Sequence, residues 1–286
     1  MSSSLAVVTD PREIYQLVRD RRAGGQRVGL VPTMGALHEG HLSLVRRSYA
    51  TCDETVVTIF VNPTQFGPGE DFEQYPRTLE SDVEKLASEG VGLVFAPAAD
   101  AVYRKGHSTF VKPPAVAEPL EGTHRPGHFR GVATVVLKLF NTIGADIAFF
   151  GQKDYQQSLV IRHMVADLDL PIEIETCPTV REPDGLSLSS RNAYLTPEQR
   201  LQALAISQAL NHARAMHAEG EESASAIEAA MRTILSEAGI DSIDYVALVD
   251  PATLQSREHL GKPTIALIAA HVGDTRLIDN AMIATE

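Results

Sequence analysis

Several apolar segments in the first 180 or so residues lack the alternation of polar and apolar side chains that a half-exposed strand shows. The clearest of them are 28–31, 56–61, 92–95 and 147–150. Helical periodicity lies between them, in the spacing of Leu42, Val45 and Tyr49 and along one face of 132–140. Strands that are apolar on both faces are typical of a parallel sheet covered by helices, so the sequence predicts an α/β fold with a Rossmann-like, doubly wound parallel sheet.

The pattern changes after about Pro183, where two long helical stretches come before any further strand. Thr196, Pro197 and Gln199 form a capping-box helix start, and a second helix over 223–238 ends before Gly239. Apolar strands are expected over 245–249, 264–272 and 277–283. The sequence therefore predicts two domains, a Rossmann-like domain over 1–183 and a smaller α+β C-terminal domain over 184–286.

Net charge excludes one class of partner. The 286 residues include 25 Lys and Arg against 37 Asp and Glu, a formal net charge of −12 at pH 7. Because the sequence contains no basic patch, a nucleic-acid backbone is not an expected partner. A phosphate-bearing substrate would have to meet local Lys, Arg and His side chains or the N-termini of helices.

Membrane and secretory signals are not visible either. No apolar run approaches the roughly 18 residues that cross a bilayer, and residues 1–10 lack the basic and apolar regions of a secretory signal. We therefore expect no membrane partner and a cytoplasmic location. Cys52 and Cys177 fit neither a metal spacing nor a disulfide framework, so both are predicted to be free thiols.

The segment PTMGALHEGH at 32–41 follows the first strong strand and enters a helix. Free backbone N–H groups at such a junction favour anions, and Gly35 and Gly40 let a phosphate approach the backbone. His38 and His41 face the same side of a first helical turn, where two imidazole donors can stabilise charge on a leaving pyrophosphate. The alternatives are a pair of surface histidines or half of a metal site, with zinc disfavoured because no third ligand has a matching spacing.

Two further segments suit an anionic, hydroxyl-bearing substrate. Asn62 and Gln65 follow the second strong strand, where ligands of open α/β sheets bind, although Asn-Pro is also a common turn. Arg125 lies in the basic loop 120–131 before a helix, and that loop concentrates positive charge unless it is an ordinary solvated turn.

The last two candidates lie later in the chain. Lys153 follows a buried strand and would meet phosphate oxygens as a point charge, with Gln157 on the same helical face; the alternative is an ordinary helix entrance. The segment 184–192 combines an Asp-Gly turn with Ser189, Ser190 and Arg191, which indicates a mobile phosphate clamp or, alternatively, a serine-rich linker.

Together, the motifs PTMGALHEGH, FVNPTQFGPGEDFEQYPRT, RPGHFRGV, FFGQKDYQQ and DGLSLSSRN resemble the pantothenate synthetases, the pantoate–β-alanine ligases of coenzyme A biosynthesis. The resemblance covers the N-terminal domain and extends into the second. It implies membership of the nucleotidylyltransferase superfamily, whose signature is H-x-G-H, and a loop similar to the KMSKS loop at the start of the second domain. The family commonly has GEKD where this chain has GQKD at 151–154, so Gln152 is the departure, and it often has Met where this chain has Thr64.

The resemblance also implies residue roles. Gln65 and Gln157 would bind pantoate, with Gln65 also near β-alanine, and Arg125 would lie near the reacting groups. We add Asn62 to this substrate group. The catalytic set would be His38, His41, Lys153, Ser189, Ser190 and Arg191. The ATP-binding set would be Met34, Gly35, Ala36, Leu37, His38, Glu39, Gly40, His41, Gly151, Gln152, Lys153, Asp154, Val180, Leu188, Ser189, Ser190 and Arg191.

The implied reaction condenses pantoate with β-alanine through a pantoyl adenylate, releasing AMP and pyrophosphate. Mg²⁺ would enter with ATP, held largely by phosphates and water, and its protein ligands are not specified by the sequence. The family is usually dimeric, so a homodimer is expected. Two rival functions share part of the pattern: a cytidylyl- or adenylyltransferase that makes a nucleotide product, and a non-catalytic nucleotide sensor.

Overall fold

A computed structural model describes residues 5–285, so Met1–Ser4, part of the N-terminal stretch considered above, and Glu286 lie outside the described residues. The chain divides into two compact units. The first comprises the residues up to Gln152 together with Gln156–Pro178, and the second comprises Lys153–Tyr155 and the residues from Thr179 onward. The division at Pro178 lies a few residues before the boundary predicted at 183.

The first unit alternates strands with helices. Its strands are β1 (Ala6–Val8), β2 (Val28–Thr33), β3 (Glu54–Ile59), β4 (Leu93–Phe95), β5 (Ile147–Gly151) and β6 (Glu173–Cys177). Its helices are α1 (Pro11–Ala23), α2 (Glu39–Tyr49), α3 (Leu79–Ser88), α4 (Ala99–Val102), α5 (Glu121–His124), α6 (His128–Ile143) and α7 (Tyr155–Asp167), the last beginning with a residue assigned to the second unit. The four strands predicted from apolar segments are confirmed as β2 to β5.

The six strands form one parallel sheet in the order β1-β4-β3-β2-β5-β6. The chain builds outward from β2 through β3 and β4, then crosses to the other side for β5 and β6. The topological switch point therefore lies between β2 and β5, where open α/β sheets bind ligands. The predicted doubly wound, Rossmann-like sheet is confirmed.

Each central strand has apolar side chains on both faces. Val56 of β3 packs in the core beneath α1, α6 and α7, whereas its neighbour Val57 packs in the core beneath α2 and α3. Ala148 and Phe149 of β5 divide between the two cores in the same way. This double coverage is why the sequence showed continuous apolar runs instead of alternation.

The second unit packs two helices against a three-stranded antiparallel sheet. Its helices are α8 (Pro197–Ala218) and α9 (Ala224–Glu237), and its strands β7 (Ile243–Val249), β8 (Thr264–Val272) and β9 (Thr275–Ala284) pair in sequence order. Thr196 caps α8, with the predicted capping box to Gln199 present in both directions. The predicted α+β character of this unit is confirmed. Among residues 5–285, helices of the length and apolarity needed to span a bilayer are absent.

Candidate active site

The loop after β2, residues 34–41, is named here the histidine loop, and a buried carboxylate holds its shape. Asp82 of α3 is fully buried and accepts the backbone N–H of Ala36 at 2.9 Å and that of Leu37 at 2.8 Å. Gly35 (φ +86°) and Ala36 (φ +50°) both take left-handed backbone conformations, which turn the chain back toward α3. Lys85 completes the anchor, because its ammonium donates to the Leu37 carbonyl at 2.8 Å.

The two histidines cap the helix that follows. Nδ1 of His38 accepts the N–H of Gly40 at 3.2 Å, and Nδ1 of His41 accepts the N–H of His38 at 3.4 Å. The ring centroids are 4.1 Å apart. Because a backbone donor occupies each Nδ1, the neutral form of each ring carries its proton on Nε2. The start of α2 thus fixes both imidazoles in the tautomer that donates through Nε2.

This arrangement corrects one sequence expectation. The N–H groups of residues 35–38, 40 and 41 all have partners inside the protein, the remaining two being Gly35 to the Thr33 hydroxyl and His41 to the His38 carbonyl. The expectation that free backbone N–H groups in this loop receive an anion is therefore wrong for these residues. Hydrogen bonds from these residues to an anion would therefore have to come from side chains.

The residues of this loop that are predicted to bind ATP therefore differ in how exposed their side chains are and in what those side chains contact. The side chain of Leu37 is buried in the core, and both of its backbone polar groups are paired, so it shapes the loop. Glu39 forms an ion pair with Arg46 on the surface of α2. Met34 is half-buried, and its sulfur accepts from the Gln65 side-chain amide at 3.2 Å.

The turn after β3, residues 62–65, is organised by Asn62. This side chain is 1% exposed; its Oδ1 accepts from the Tyr103 hydroxyl at 2.8 Å and from the Thr64 hydroxyl at 3.0 Å. Its Nδ2 donates to Gln65 Oε1 at 3.0 Å and to the Gly131 carbonyl at 3.3 Å. All of these partners are in the protein, so Asn62 positions Gln65, and its predicted substrate contact stays a prediction.

The basic loop 120–131 carries less positive charge than its sequence suggests. Arg125 forms a bidentate pair with Glu70, at 2.8 and 2.7 Å, and donates to His128 Nε2 at 3.2 Å. Nδ1 of His128 donates to the Gln65 carbonyl at 2.9 Å. Burial, followed by the adjacent Arg125 guanidinium, lowers the pKa of His128 to about 4, so the ring is neutral at pH 7.

Glu70 is the partner that removes this charge. Burial opposes its ionisation, but the hydrogen bonds and the positive charge of Arg125 outweigh burial and lower the pKa of Glu70. The expected concentration of positive charge at Arg125 and His128 is therefore wrong, because a carboxylate far away in sequence neutralises one group and burial discharges the other.

Two adjacent glutamines at the start of α7 differ in availability. Gln156 is buried, and its amide donates to the carbonyls of Val116 and Pro119 at 2.9 and 2.7 Å. Gln157 is half-buried, and its amide makes no hydrogen bond with any other residue in 5–285. Of the two, Gln157 is the one whose amide is left to bind a ligand.

Lys153, the first residue of the short segment 153–155 of the second unit, comes two positions after Gly151, the last residue of β5. Its carbonyl accepts from Asn280 Nδ2 of β9 at 2.9 Å, and the Tyr155 hydroxyl donates to the Pro251 carbonyl at 2.8 Å. These contacts hold residues 153–155 in the second unit. The Lys153 ammonium forms no ion pair within the described range 5–285, so its charge is available to a ligand.

The segment 184–192 is built on an ion pair. Arg181 donates to both carboxylate oxygens of Asp279, at 2.6 and 3.0 Å, and to the Gly185 carbonyl at 3.1 Å. Asp279 is 3% exposed. Val180 and Leu188, two predicted ATP-binding residues, are joined by a backbone hydrogen bond of 3.1 Å across this turn.

The residues after this turn form a short 3₁₀ helix, Ser190–Tyr194, which Ser189 caps by accepting the N–H of Arg191 at 3.3 Å. Asn192 donates to the Ser187 carbonyl at 3.0 Å, while its Oδ1 is buried and has no partner among residues 5–285. The segment is a capped and anchored turn, and its role as a phosphate clamp stays a prediction.

Sequence reasoning missed several residues that shape the site. Asp82, Tyr103, Arg181 and Asp279 occupy no recognisable motif, and Glu70 lies in one of the quoted motifs but was given no role. Each acts through a partner distant in sequence, as Asp82 does on Leu37 across 45 positions and Arg181 on Asp279 across 98 positions. The only available signal was residue type, an acidic residue on an otherwise apolar helix face at Asp82.

A doubly wound parallel sheet with paired imidazoles, amides and anchored loops at the carboxyl ends of its strands defines an α/β enzyme of Rossmann-like architecture. The family model for pantoate–β-alanine ligase matches residues 6–282. The chain therefore belongs to the pantoate–β-alanine ligase family.

Relatives and solved structures agree with this assignment. Pantothenate synthetase 1 of Bradyrhizobium diazoefficiens is 51% identical over 98% of this chain and 99% of its own length. A crystal structure of the Thermus thermophilus pantothenate synthetase has a TM-score of 0.92 at 42% identity, covering 98% of this chain and all (100%) of the other. A Francisella tularensis pantoate–β-alanine ligase, solved with β,γ-ATP and β-alanine, has a TM-score of 0.83 at 34% identity and covers 99% of both chains.

Proposed function

We propose that this enzyme condenses pantoate with β-alanine in two steps. The pantoate carboxylate first attacks the α-phosphorus of ATP, which releases pyrophosphate and forms pantoyl adenylate. The β-alanine amine then attacks the acyl carbon and displaces AMP. Activation is needed because a free carboxylate is a poor acyl donor, and the adenylate makes an enzyme nucleophile unnecessary.

One observation carries the proposal. His38 and His41 follow β2 at the switch point of the sheet, and each Nδ1 accepts a backbone N–H, which fixes the ring and leaves the proton of its neutral form on Nε2. Fixed donors lower the barrier where negative charge develops, here on the phosphorus and the departing pyrophosphate. A relative in the same family was solved with β,γ-ATP and β-alanine.

The remaining roles follow from residue chemistry. Gln65 and Gln157 bind pantoate through their amides, and Lys153 and Arg191 supply positive charge to the phosphates. Mg²⁺ enters as part of the ATP substrate, held by phosphates and water. Within residues 5–285 no group of three His, Cys, Asp or Glu side chains forms a metal cage. The homodimer remains an expectation from the family resemblance.

The test is an assay with ATP, Mg²⁺, pantoate and β-alanine, each omitted in turn, following AMP and pyrophosphate. Pyrophosphate should form without β-alanine, and free AMP should require it. A nucleotide retained in the final product would instead indicate an adenylyl- or cytidylyltransferase. ATP binding without turnover would indicate a nucleotide sensor.

Variants test the assigned donors. His41→Ala and Lys153→Ala should each slow pyrophosphate release by roughly 10² or more, the scale for losing one preorganised charge-stabilising donor. His212→Ala and Lys262→Ala change exposed residues of the second unit and should leave the rate unchanged. A wild-type rate in either test variant would remove that residue from the mechanism.

A further inference from the structure

A cavity of about 410 Å³ lies in the first unit, and none of the residues assigned above to ATP or substrate lines it. Its walls come from the end of β4, the start of α1, the end of α4, the loop that follows α4, and the C-terminal half of α6. The volume lies within the range typical of small-molecule sites.

The polar part of the lining is cationic. Arg104, Lys105 and Lys138 line the cavity, and no carboxylate does. Among residues 5–285 none of the three forms an ion pair. Because the chain has a net charge of −12, three cations that line one cavity with no carboxylate in its lining form a local concentration of positive charge.

A fourth polar group points to a missing partner. His107, also in the lining, has a buried Nε2 that makes no hydrogen bond within residues 5–285. Its ring is fixed between those of Tyr103 and Phe110, with centroids 5.1 Å from each. A buried ring nitrogen without a partner is costly unless something bound at the site satisfies it.

The remaining walls are apolar. Phe95, Val102 and Leu139 are buried core residues that also border the cavity. Inorganic phosphate alone would leave this surface unused. An anion attached to a compact apolar group would use both parts of the lining.

We propose that this cavity is a binding site for a small organic phosphate monoester, separate from the site of the ligase reaction. The dianion contacts Arg104, Lys105 and Lys138, and His107 Nε2 hydrogen-bonds to it. The apolar substituent packs against Phe95, Val102 and Leu139. Tyr103 connects the lining residue Lys138 to the 62–65 turn, because its ring lies 5.7 Å from the Lys138 ammonium and its hydroxyl donates to Asn62.

Phenyl phosphate is the probe, titrated into the full-length protein in a phosphate-free buffer and followed by calorimetry and by ³¹P line broadening. We expect a Kd of about 1 mM or tighter. Inorganic phosphate should bind more weakly because it leaves the apolar wall bare. Absence of binding at about ten times that concentration would overturn the proposal, and equal affinities for the two probes would overturn its organic part.

Variants locate the site. Lys138→Gln and Arg104→Gln should each weaken phenyl phosphate about tenfold, the scale for one charge-assisted contact. Lys112→Gln, an exposed lysine on the same loop that does not line the cavity, should have no effect. If Lys138→Gln does not fold, Lys138→Met is used in its place, because methionine keeps the apolar part of the side chain without the charge.

One further variant separates this site from the reaction site. His41→Ala should bind phenyl phosphate as the wild type does, since His41 is not in the cavity. Loss of binding in His41→Ala, or unchanged binding in the cavity variants, would place the anion at the histidine loop and overturn the proposal. This test does not depend on turnover, so its failure leaves the ligase assignment intact.

Discussion

Two loops carry most of the predicted ATP contacts, and a buried carboxylate anchors each of them in a different way. In the histidine loop, Asp82 accepts two backbone N–H groups directly. In the 184–192 segment, Asp279 acts through the long side chain of Arg181, which in turn donates to the Gly185 carbonyl. The first anchor fixes the backbone that orients two imidazoles, whereas the second fixes a turn through an ion pair. The first anchor should therefore be weakened by replacing the Asp82 carboxylate with an amide. The second should be weakened by removing the positive charge of Arg181.

The largest effect on stability is expected at the second anchor. Arg181→Ala leaves the buried Asp279 carboxylate without its counter-charge, which should lower the free energy of unfolding by about 3 kcal/mol or more. Arg200→Ala is the matched control, because it removes a surface ion pair with Asp184 in the same segment and should cost less than about 1 kcal/mol. Urea unfolding measures both. Equal losses would show that Asp279 does not depend on Arg181.

Acid is expected to weaken the first unit through His128. The pKa of this buried ring is about 4, against about 6.5 in an unfolded chain. Because the folded pKa is depressed, the contribution of the neutral ring is fully present above pH 6.5 and is lost as the pH falls toward 4. The unfolded chain takes up the proton first, so the free energy of unfolding should fall by about 3 kcal/mol across this window.

His128→Gln isolates that effect, since glutamine does not titrate. The variant is less stable at pH 7 for loss of packing, but its unfolding free energy should vary less between pH 6.5 and pH 4 than that of the wild type. Parallel pH profiles for the two proteins would contradict a neutral His128 in the folded state.

At the first anchor, Asp82→Asn places one NH₂ group against a backbone N–H of Ala36 or Leu37. One buried donor then loses its acceptor, which should cost about 2 kcal/mol and raise KM for ATP as the histidine loop relaxes. Glu80→Gln makes the same chemical change on an exposed residue of α3 and should be neutral. Thermal unfolding measures the loss of stability, and steady-state kinetics measures KM. An unchanged KM for ATP would show that the hydrogen bonds of Asp82 to the histidine loop are not needed for ATP binding.

The smallest effect is expected at Gly35. Gly35→Ala and Gly69→Ala both force a side chain into a left-handed conformation (φ +86° and +84°), which costs about 1 kcal/mol. A methyl group at Gly35 would also lie 3.1 Å from Asp82 Oδ2 and from Ile59 Cγ2, whereas Gly69 faces open space. The Gly35 variant should therefore be the less stable of the two. Equal melting temperatures would show that Asp82 and Ile59 move aside for the added methyl group without loss of stability.

Sequence reasoning recovered the parts of the fold that local patterns encode. The strands β2 to β5 and β7 to β9 were found because apolar residues continue along them, and α8 because its cap is local. Two strands of the parallel sheet were not predicted. β1 has only three residues, and β6 alternates glutamates with apolar residues at the edge of the sheet.

The site was predicted less completely for a different reason. Motifs indicated His38, His41, Gln65 and Lys153, but not which of their atoms are engaged. The tautomer of the histidines and the neutrality of His128 depend on partners that only the fold brings close. Glu70, for example, reaches Arg125 across 55 positions of the chain, and no local pattern records such a pair.

Gly131 has a consequence for altering substrate range. A Cβ there would lie 2.2 Å from the Thr64 carbonyl oxygen, so α6 and the 62–65 turn meet backbone to backbone. The turn cannot retreat to make room for a bulkier hydroxy acid without separating these two main chains. On the proposed assignment of Gln65 and Gln157 to the acid substrate, directed evolution toward larger acyl donors should succeed by shortening those side chains, and libraries that remodel the turn itself should mostly yield misfolded protein.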